Sequence, residues 1–373
     1  MCKKRDSLSL LGLFNFTIGV IFIIIALVFL KVARRNFQSK EAEGAWSGLL
    51  AMLSCLIIGI YLASWGIYGL ANQNLLTEIA PLLPIPYPLG FYILAFIPII
   101  IVYIGLYAIR EQRKAKKGGI AESSKKMKKI NSLDLEVSRK VFHITIIGIL
   151  VCYLFLGELV SQSFFGYLAT NWDIWHIQQN LAPPAELAGK VFCAFMIIAI
   201  FFFLALTDIV RVFTPKYYPV KLVGDVYRER EKNSLGPHIH LSIGVLFAVI
   251  FFAPSIAMAA IAMAALGDAA ATIVGINLGK HKINAKSKKT WEGCIGGIAV
   301  SFGSVFLCMI MLVKTIDIMT ISASLILCAV GAFIFFLTDY FTPTIPLTDN
   351  ILNPICIGLG MTGLALLFFP SVL

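Results

Sequence analysis

Long apolar stretches with almost no charged side chains dominate the sequence. A helix needs about 20 predominantly apolar residues to cross the hydrocarbon core of a bilayer. Candidate stretches cover residues 8–30, 46–70, 89–109, 141–157, 191–210, 238–253, 255–278, 293–313, 318–338 and 351–372. Because 59% of the 373 residues are hydrophobic and only 14% are charged, the composition excludes a soluble globular protein. The sequence therefore predicts an all-α, polytopic integral membrane protein with about ten transmembrane helices.

Two boundaries of these stretches need a physical argument. The stretches 238–253 and 255–278 are separated only by Pro254, and a proline interrupts a helix because it lacks an N–H group. We therefore predict a tight helical hairpin rather than one overlong helix. The first stretch follows a basic N-terminus as a signal peptide does, but its 23 residues exceed the apolar region of a cleavable signal. It is predicted to be a retained span.

Lysine and arginine accumulate in alternate loops. Of the 31 basic residues, 26 lie in the segments 31–43, 110–140, 211–236 and 276–292. Cytoplasmic loops carry such an excess of basic residues, so these loops are predicted to be cytoplasmic, and both termini to lie on the non-cytoplasmic side. The net charge of +11 is thereby explained by membrane topology, and no nucleic-acid partner is predicted.

A basic segment divides the chain. Residues 111–132 are polar, rich in lysine and contain a Gly-Gly pair. We predict a cytoplasmic linker between a three-span N-terminal extension, residues 1–110, and a seven-span domain, residues 133–373. The lysines of the linker could adhere to an anionic leaflet, but the favoured interpretation is a flank of the spans, because every loop on this face is basic.

Ionisable residues gather in the loops and helix ends of the predicted cytoplasmic face. Glu136, Arg139, Lys140 and His143 are spaced i, i+3, i+4 and i+7, so they share one face of a helix. The other candidates on this membrane face are Arg228, Arg230, Glu231, Asp268, Gly275, Lys282, Lys288, Lys289, Glu292, Asp349 and Asn350. Carboxylates hold Mg²⁺ together with substrate phosphates, and Arg and Lys bind phosphate groups. The cluster predicts a site for a metal-bound polyphosphate.

Each of these features also has a structural interpretation. Asp268 could belong to a polar seam between packed helices, although an ionisable residue within a span is more often functional. The basic loops could serve topology alone, and His143 could be a hydrogen-bonded histidine at a helix interface.

The segment 275–281 is not a P-loop, because its spacer is one residue short and no Ser or Thr follows the lysine.

Five segments between residues 133 and 354 resemble, in order, motifs of the dolichol kinase and phytol kinase group. This group includes CTP-dependent diacylglycerol kinases and is related to the phosphatidate cytidylyltransferases. The segments are Glu136-x-x-Arg139-Lys140-x-x-His143, Arg228-x-x-Glu231, Gly267-Asp268-x-Ala270-Ala271-x-x-x-Gly275, Lys288-Lys289-Thr290-Trp291-Glu292-Gly293 and Asp349-Asn350-x-x-x-Pro354. The resemblance implies transfer of the γ-phosphate of CTP to the hydroxyl of a membrane lipid alcohol, with Mg²⁺ as cofactor and CDP as product. The implied acceptor is a dolichol or polyprenol, a phytol-like alcohol or diacylglycerol.

The resemblance also implies roles for single residues. Asp268 is expected to be the first Mg²⁺ ligand, with Glu292 or Asp349 as the second. Catalytic roles are expected for Asp268, Glu231 and Glu292, and Asp268 or Glu231 could accept the hydroxyl proton. Phosphate-binding roles are expected for Arg139, Lys140, Arg228, Arg230, Lys282, Lys288, Lys289, Gly275 and Asn350.

The sequence leaves two alternatives open. The segment 279–297 also resembles the phosphatidate cytidylyltransferases, which makes a CDP-lipid synthase the second candidate, but the His-Gly-Gly signature of those enzymes is absent. A transporter is the candidate of another class, although transporters place ionisable residues near the bilayer midplane, where these spans carry almost none. One position departs from the kinase pattern, since many members carry a glutamate shortly before the Asp-Asn pair and this sequence has Asp339.

Overall fold

The computed structural model describes residues 2–72, 84–85, 89–116, 148–151, 153, 159, 163, 185–220, 233–283, 289–312, 318–341 and 347–370. The principal α-helices of these residues are α1 (Cys2–Gln38), α2 (Ala42–Ala71), α3 (Leu89–Lys116), α4 (Ala185–Phe213), α5 (Pro237–Phe251), α6 (Pro254–Ala262), α7 (Asp268–Leu278), α8 (Trp291–Leu312), α9 (Ile318–Phe341) and α10 (Asp349–Phe368). A 3₁₀-helix, Pro215–Tyr217, follows α4, and a π-helical turn, Met263–Gly267, joins α6 to α7. No β-strand occurs among the described residues, which confirms the predicted all-α class.

Eight helical segments of the described chain are long and apolar enough to cross a membrane, which confirms the polytopic architecture. α6, the π-helical turn and α7 together form one of them, Pro254–Leu278. α5 has only 15 residues, a length of about 22 Å, and is shorter than the hydrocarbon core of about 30 Å. The predicted stretch 141–157 lies for the most part outside the described residues.

The break between α5 and α6 lies where the sequence predicts it. α5 ends at Phe251, and the backbone at Phe252 and Ala253 is extended, with ψ angles of 157° and 150°. Pro254 is the first residue of α6, a position at which the missing N–H group breaks no helical hydrogen bond.

α1 and α2 form a hairpin that packs through small residues. A Cβ atom at Gly19 would lie 2.5 Å from the backbone nitrogen of Ala63, and one at Gly59 would lie 2.9 Å from the carbonyl oxygen of Gly19. Helices in a membrane associate closely where residues of this size meet. Lys40, in the turn between the two helices, has a φ angle of 64°.

The predicted N-terminal extension packs directly against the predicted seven-span domain. The ring of Phe22 on α1 stacks on that of Phe201 on α4, with centroids 5.2 Å apart, and both side chains are fully buried. Near the helix ends, the Arg35 guanidinium donates a hydrogen bond of 3.2 Å to the Val212 carbonyl oxygen. Buried apolar side chains of both parts form one continuous core.

One end of the bundle gathers the termini of several helices. The C-terminal ends of α1 and α4 meet there through Arg35 and Val212. At the same end, the backbone N–H of Thr348, just before α10, donates a hydrogen bond of 3.1 Å to Ser47 Oγ in the first turns of α2. The described parts of the basic segments 31–43, 211–236 and 276–292, whose charge predicts a cytoplasmic location, lie at this end.

Candidate functional site

A π-helical turn leads into Asp268. The turn Met263–Gly267 interrupts the α-helical hydrogen-bond pattern immediately before α7 begins at Asp268. A Cβ atom at Gly267 would collide with Ser301 Oγ of α8 and lie 3.1 Å from the Phe335 ring of α9. Single π-turns inside helices occur frequently at functional sites, where they reorient a side chain. Here the turn and the glycine set the position of the half-buried Asp268 against α8 and α9.

A seam of small residues holds α7 against the start of α8. A Cβ atom at Gly293 would lie 2.6 Å from the carbonyl oxygen of Ala271 and 3.0 Å from the Cα atom of Gly275. The backbone N–H of Gly293 donates to Thr290 Oγ1 at 3.2 Å. This close packing brings the residues just before α8 next to α7, and it gives Gly275 a packing role in addition to the phosphate role that the sequence predicts.

Lys289 lies at the centre of a carboxylate cluster. Its ammonium nitrogen Nζ is 2.5 Å from Asp339 Oδ1 and 3.1 Å from the Asp339 carbonyl oxygen at the end of α9. The same nitrogen is 3.8 Å from Asp349 Oδ2 in the first turn of α10. Lys289 also interacts electrostatically with Asp268. Residues from four separate segments of the chain therefore converge on one lysine, and we call Lys289, Asp339, Asp349 and Asp268 the lysine–aspartate cluster.

The electrostatics of this cluster keep the lysine charged. Burial lowers the pKa of Lys289, but the carboxylates of Asp349, Asp339 and Asp268 outweigh burial and hold that pKa above its usual value. The side chain of Asp339 is only 5% exposed, whereas those of Lys289 and Asp349 are about 30% exposed. The cluster is therefore accessible from outside the helix bundle on the side of Asp349 and closed on the side of Asp339.

The cluster has the composition of a site for a cation that takes most of its ligands from water and substrate phosphates. Carboxylates outnumber the ammonium group three to one, so the cluster is negative. Within the described ranges, no group of three or more His, Cys, Asp and Glu side chains is positioned to hold a metal ion, so Asp268, Glu292 and Asp349 do not form one coordination group there. Mg²⁺ usually binds through one or two carboxylates plus waters and substrate phosphates. Asp268 and Asp349 are the two members of the cluster that the sequence predicts as Mg²⁺ ligands.

Glu292 takes part in a local contact. Its Oε1 atom lies 2.6 Å from His281 Nδ1, and both carboxylate oxygens accept the backbone N–H of His281 at 3.2 Å. The antiparallel bridge between Lys282 and Thr290 closes the same loop. Glu292 thus ties the loop to the first turn of α8, and Lys282 is exposed on this loop.

A second buried ion pair supports the segment that precedes α5. Asp208 is fully buried and accepts hydrogen bonds from Arg211 Nε at 2.6 Å and from the backbone N–H of Gly236 at 3.0 Å. Arg211 Nη2 also donates to the Ser234 carbonyl oxygen at 2.5 Å. The C-terminal end of α4 therefore fixes the backbone of residues 234–236.

Several predicted site residues lie outside the described ranges, so their location stays a prediction: Arg139, Lys140, His143, Arg228, Arg230, Glu231 and Lys288.

Asn350 is the second residue of α10. A Cβ atom added at Gly244 of α5 would lie 2.7 Å from the Asn350 carbonyl oxygen, so the two helices pack closely at this point. Sequence reasoning missed Asp339, which was noted only as a departure from a motif. The available signal was its place as the one acidic residue that ends the apolar stretch 318–338.

Comparison of the chain with protein-family models, with curated proteins and with solved structures gave no match. The family resemblance therefore depends on the five segments named above, and the geometry of the cluster depends on the structure alone.

Proposed function

We propose that this protein is a CTP-dependent kinase that phosphorylates the hydroxyl group of a membrane lipid alcohol and releases CDP. The observation that carries the proposal is the lysine–aspartate cluster, in which a charged Lys289 lies among the carboxylates of Asp268, Asp339 and Asp349. Phosphoryl transfer depends mainly on positioning and on neutralising phosphate charge. A fixed ammonium group beside carboxylates that suit Mg²⁺ provides both.

Each member of the cluster has a separate role in this proposal. Lys289 binds the phosphate oxygens of CTP through hydrogen bonds from its ammonium group. Asp339 is a positioning residue, because its buried carboxylate holds the Lys289 head group. Asp268 and Asp349 would hold Mg²⁺, which when bound neutralises the phosphate charge.

The reaction balances without a further co-reactant. The lipid hydroxyl oxygen forms a bond to the γ-phosphorus, and the bond between that phosphorus and the β–γ bridging oxygen breaks, so CDP leaves. The hydroxyl proton passes to a carboxylate, and Asp268 or Glu231 could accept it.

Aromatic side chains beside the cluster support access from the lipid. Trp291, two residues after Lys289, is 41% exposed. Its ring packs near those of Phe336 and Tyr340 on α9, with centroids 6.4 Å and 6.2 Å apart. Tryptophan and tyrosine are enriched at the interface between membrane and water. A site at this depth is open to a hydroxyl group held in the leaflet and to a nucleotide from water.

A product analysis tests the proposal. The purified full chain in lipid nanodiscs is incubated with Mg²⁺, CTP labelled in the γ-phosphate, and a panel of polyprenol, phytol, geranylgeraniol and diacylglycerol. We expect labelled lipid phosphate and CDP. In a parallel reaction with phosphatidate, formation of pyrophosphate and a CDP-lipid would instead identify a cytidylyltransferase. If neither reaction gives product and the protein takes up a solute into vesicles, it is a transporter. Either outcome would overturn the kinase proposal.

Two variants and a matched control link activity to the cluster. Asp268→Asn and Lys289→Met are each expected to lower kcat/KM by about 100-fold, the usual effect of removing one preorganised electrostatic group. Lys280→Met is the control, because Lys280 is an exposed lysine of the same loop, and it should retain activity within about twofold. An Asp268→Asn variant with full activity would contradict the proposal.

A further inference from the structure

A cavity of about 240 Å³ lies where the predicted N-terminal extension meets the remaining helices. Its walls come from the start of α2, from the segment before α5, from α5 itself and from the residue before α10. Its lining includes Glu41, Gly44, Ser47, Ser234, His240 and Thr348. The Asp208–Arg211 pair fixes one wall through Ser234 and Gly236.

Polar atoms at this cavity have no hydrogen-bond partner within the described chain. His240 is 5% exposed, and its Nε2 atom is buried without a partner, as is the Oε2 atom of Glu41. The side-chain nitrogen and oxygen of the fully buried Asn36 also have no hydrogen-bond partner in the described part of the chain. Asn36 lies behind the cavity wall, because a Cβ atom at Gly44 would lie 3.0 Å from its Nδ2 atom. Buried polar groups in native proteins are normally paired. Unpaired polar groups in and behind the wall favour a polar ligand over an apolar one.

The polar groups of the walls define the chemistry of that ligand. Among the described residues, Glu41 contributes a carboxylate with one unpaired oxygen, and His240 contributes an imidazole with one unpaired nitrogen. Such groups bind hydroxyl and amino groups through hydrogen bonds. The volume is below the roughly 300–1,000 Å³ of pockets for drug-sized ligands, so the cavity fits a compact polar group and not a lipid chain.

The cavity adjoins the lysine–aspartate cluster. Thr348 lines the cavity, and its backbone N–H donates to Ser47 Oγ, another lining residue, at 3.1 Å. The next residue in the chain is Asp349, whose carboxylate is 3.8 Å from Lys289 Nζ. A polar cavity that forms hydrogen bonds thus lies beside a cluster that suits phosphate and a cation. These are the two complementary environments that one nucleotide needs.

We propose that this cavity holds the nucleoside part of the nucleotide, whose phosphates extend to Lys289. The inference rests on the proposed kinase function and adds a nucleotide-selecting role for the turn between α1 and α2. The Glu41 carboxylate accepts a hydrogen bond from the exocyclic amino group of cytosine, as carboxylates do in nucleic-acid recognition, or from a ribose hydroxyl. The His240 imidazole supplies the second polar contact.

Binding measurements on the purified full chain test this inference. CTP, UTP, dCTP and inorganic triphosphate are titrated by calorimetry into the wild-type protein, into Glu41→Ala and into the control Glu111→Ala on α3, which does not line the cavity. We expect Glu41→Ala to weaken CTP binding by about 10-fold or more, the effect of losing a hydrogen bond to a charged group. Triphosphate binding and the control should be unchanged.

The selectivity of the variant separates the two parts of the nucleoside. Loss of a preference for CTP over UTP places the base at Glu41, and loss of a preference for CTP over dCTP places the ribose there; either result supports the inference. Equal CTP affinity in Glu41→Ala and wild type, with lipid phosphorylation intact, would overturn the cavity assignment and leave the kinase proposal standing. Absence of both CTP binding and lipid phosphorylation in the wild type would overturn both. Thermal unfolding of each variant shows whether it is folded.

Discussion

The ion pair between Lys289 and Asp339 gives the most quantitative prediction. Lys289 donates to Asp339 Oδ1 at 2.5 Å and to the Asp339 carbonyl oxygen at 3.1 Å. A hydrogen bond to a charged group contributes about 1.5–3 kcal/mol, and stranding a buried charge costs about 3–5 kcal/mol. Because 30% of the Lys289 side chain is exposed, water reduces these values. We expect Lys289→Met to lower the free energy of unfolding by about 2–3 kcal/mol.

The partner substitution should cost less. Asp339→Asn removes the charge that needs pairing and keeps an oxygen that accepts a hydrogen bond from Lys289, so we expect a loss of about 1 kcal/mol. In the double variant no buried carboxylate is stranded. Its loss of stability should therefore be smaller than the sum of the single losses by at least about 1 kcal/mol.

Denaturation in mixed micelles with increasing SDS, followed by tryptophan fluorescence and circular dichroism, measures these free energies. Lys280→Met is the control and should change stability by less than about 0.5 kcal/mol, as expected for an exposed residue. Additive losses in the double variant, or a larger loss for Asp339→Asn than for Lys289→Met, would refute the argument that a buried carboxylate depends on the lysine.

Three further predictions follow from the same structure. Gly267→Ala should lower the free energy of unfolding by about 2 kcal/mol, and so lower the melting temperature, because the added Cβ collides with α8 and α9. The control Gly303→Ala has open space around the added Cβ, so its melting temperature should be unchanged or higher. Asp208→Asn should cost about 3 kcal/mol in SDS denaturation, because it leaves the buried Arg211 without its counter-charge; an unchanged midpoint would contradict this. The pKa of Lys289 is raised in the folded protein, so its charge stabilises the fold fully below the unfolded-state pKa of about 10.4. This stabilisation is lost only as the pH rises through the higher folded value. Plots of unfolding free energy against pH for wild type and Lys289→Met should therefore stay parallel from pH 7 to 9 and converge above about pH 10.5.

The helices could be predicted because the information for them is local. A stretch of about 20 apolar residues must form its backbone hydrogen bonds internally in a bilayer, so the stretches 46–70 and 293–313 appear as α2 and α8 with ends shifted by a few residues. The break at Pro254 follows from the covalent structure of proline itself. No tertiary contact is needed for either conclusion.

The membership of the cluster could be predicted only in part. Asp268 and Asp349 were selected from the sequence by residue type and by their place at the ends of spans, and the structure brings both near Lys289. Glu292 was selected by the same criteria, yet its carboxylate contacts His281. Asp339 was assigned no role, yet it lies closest to the lysine.

Residue type and spacing thus determine that this chain forms membrane-spanning helices and that acids and bases collect at their ends, because hydrophobic length and charge act on each segment separately. Tertiary structure alone decides which carboxylate meets which base. The contact between Lys289 and Asp339 joins residues 50 positions apart, and it depends on how closely α8 packs against α9, where a Cβ atom at Gly297 of α8 would lie 3.1 Å from the Phe335 ring. Glu292, only three residues after Lys289, contacts His281 instead, and neither pairing can be read from the linear sequence because both depend on how the loop before α8 folds back.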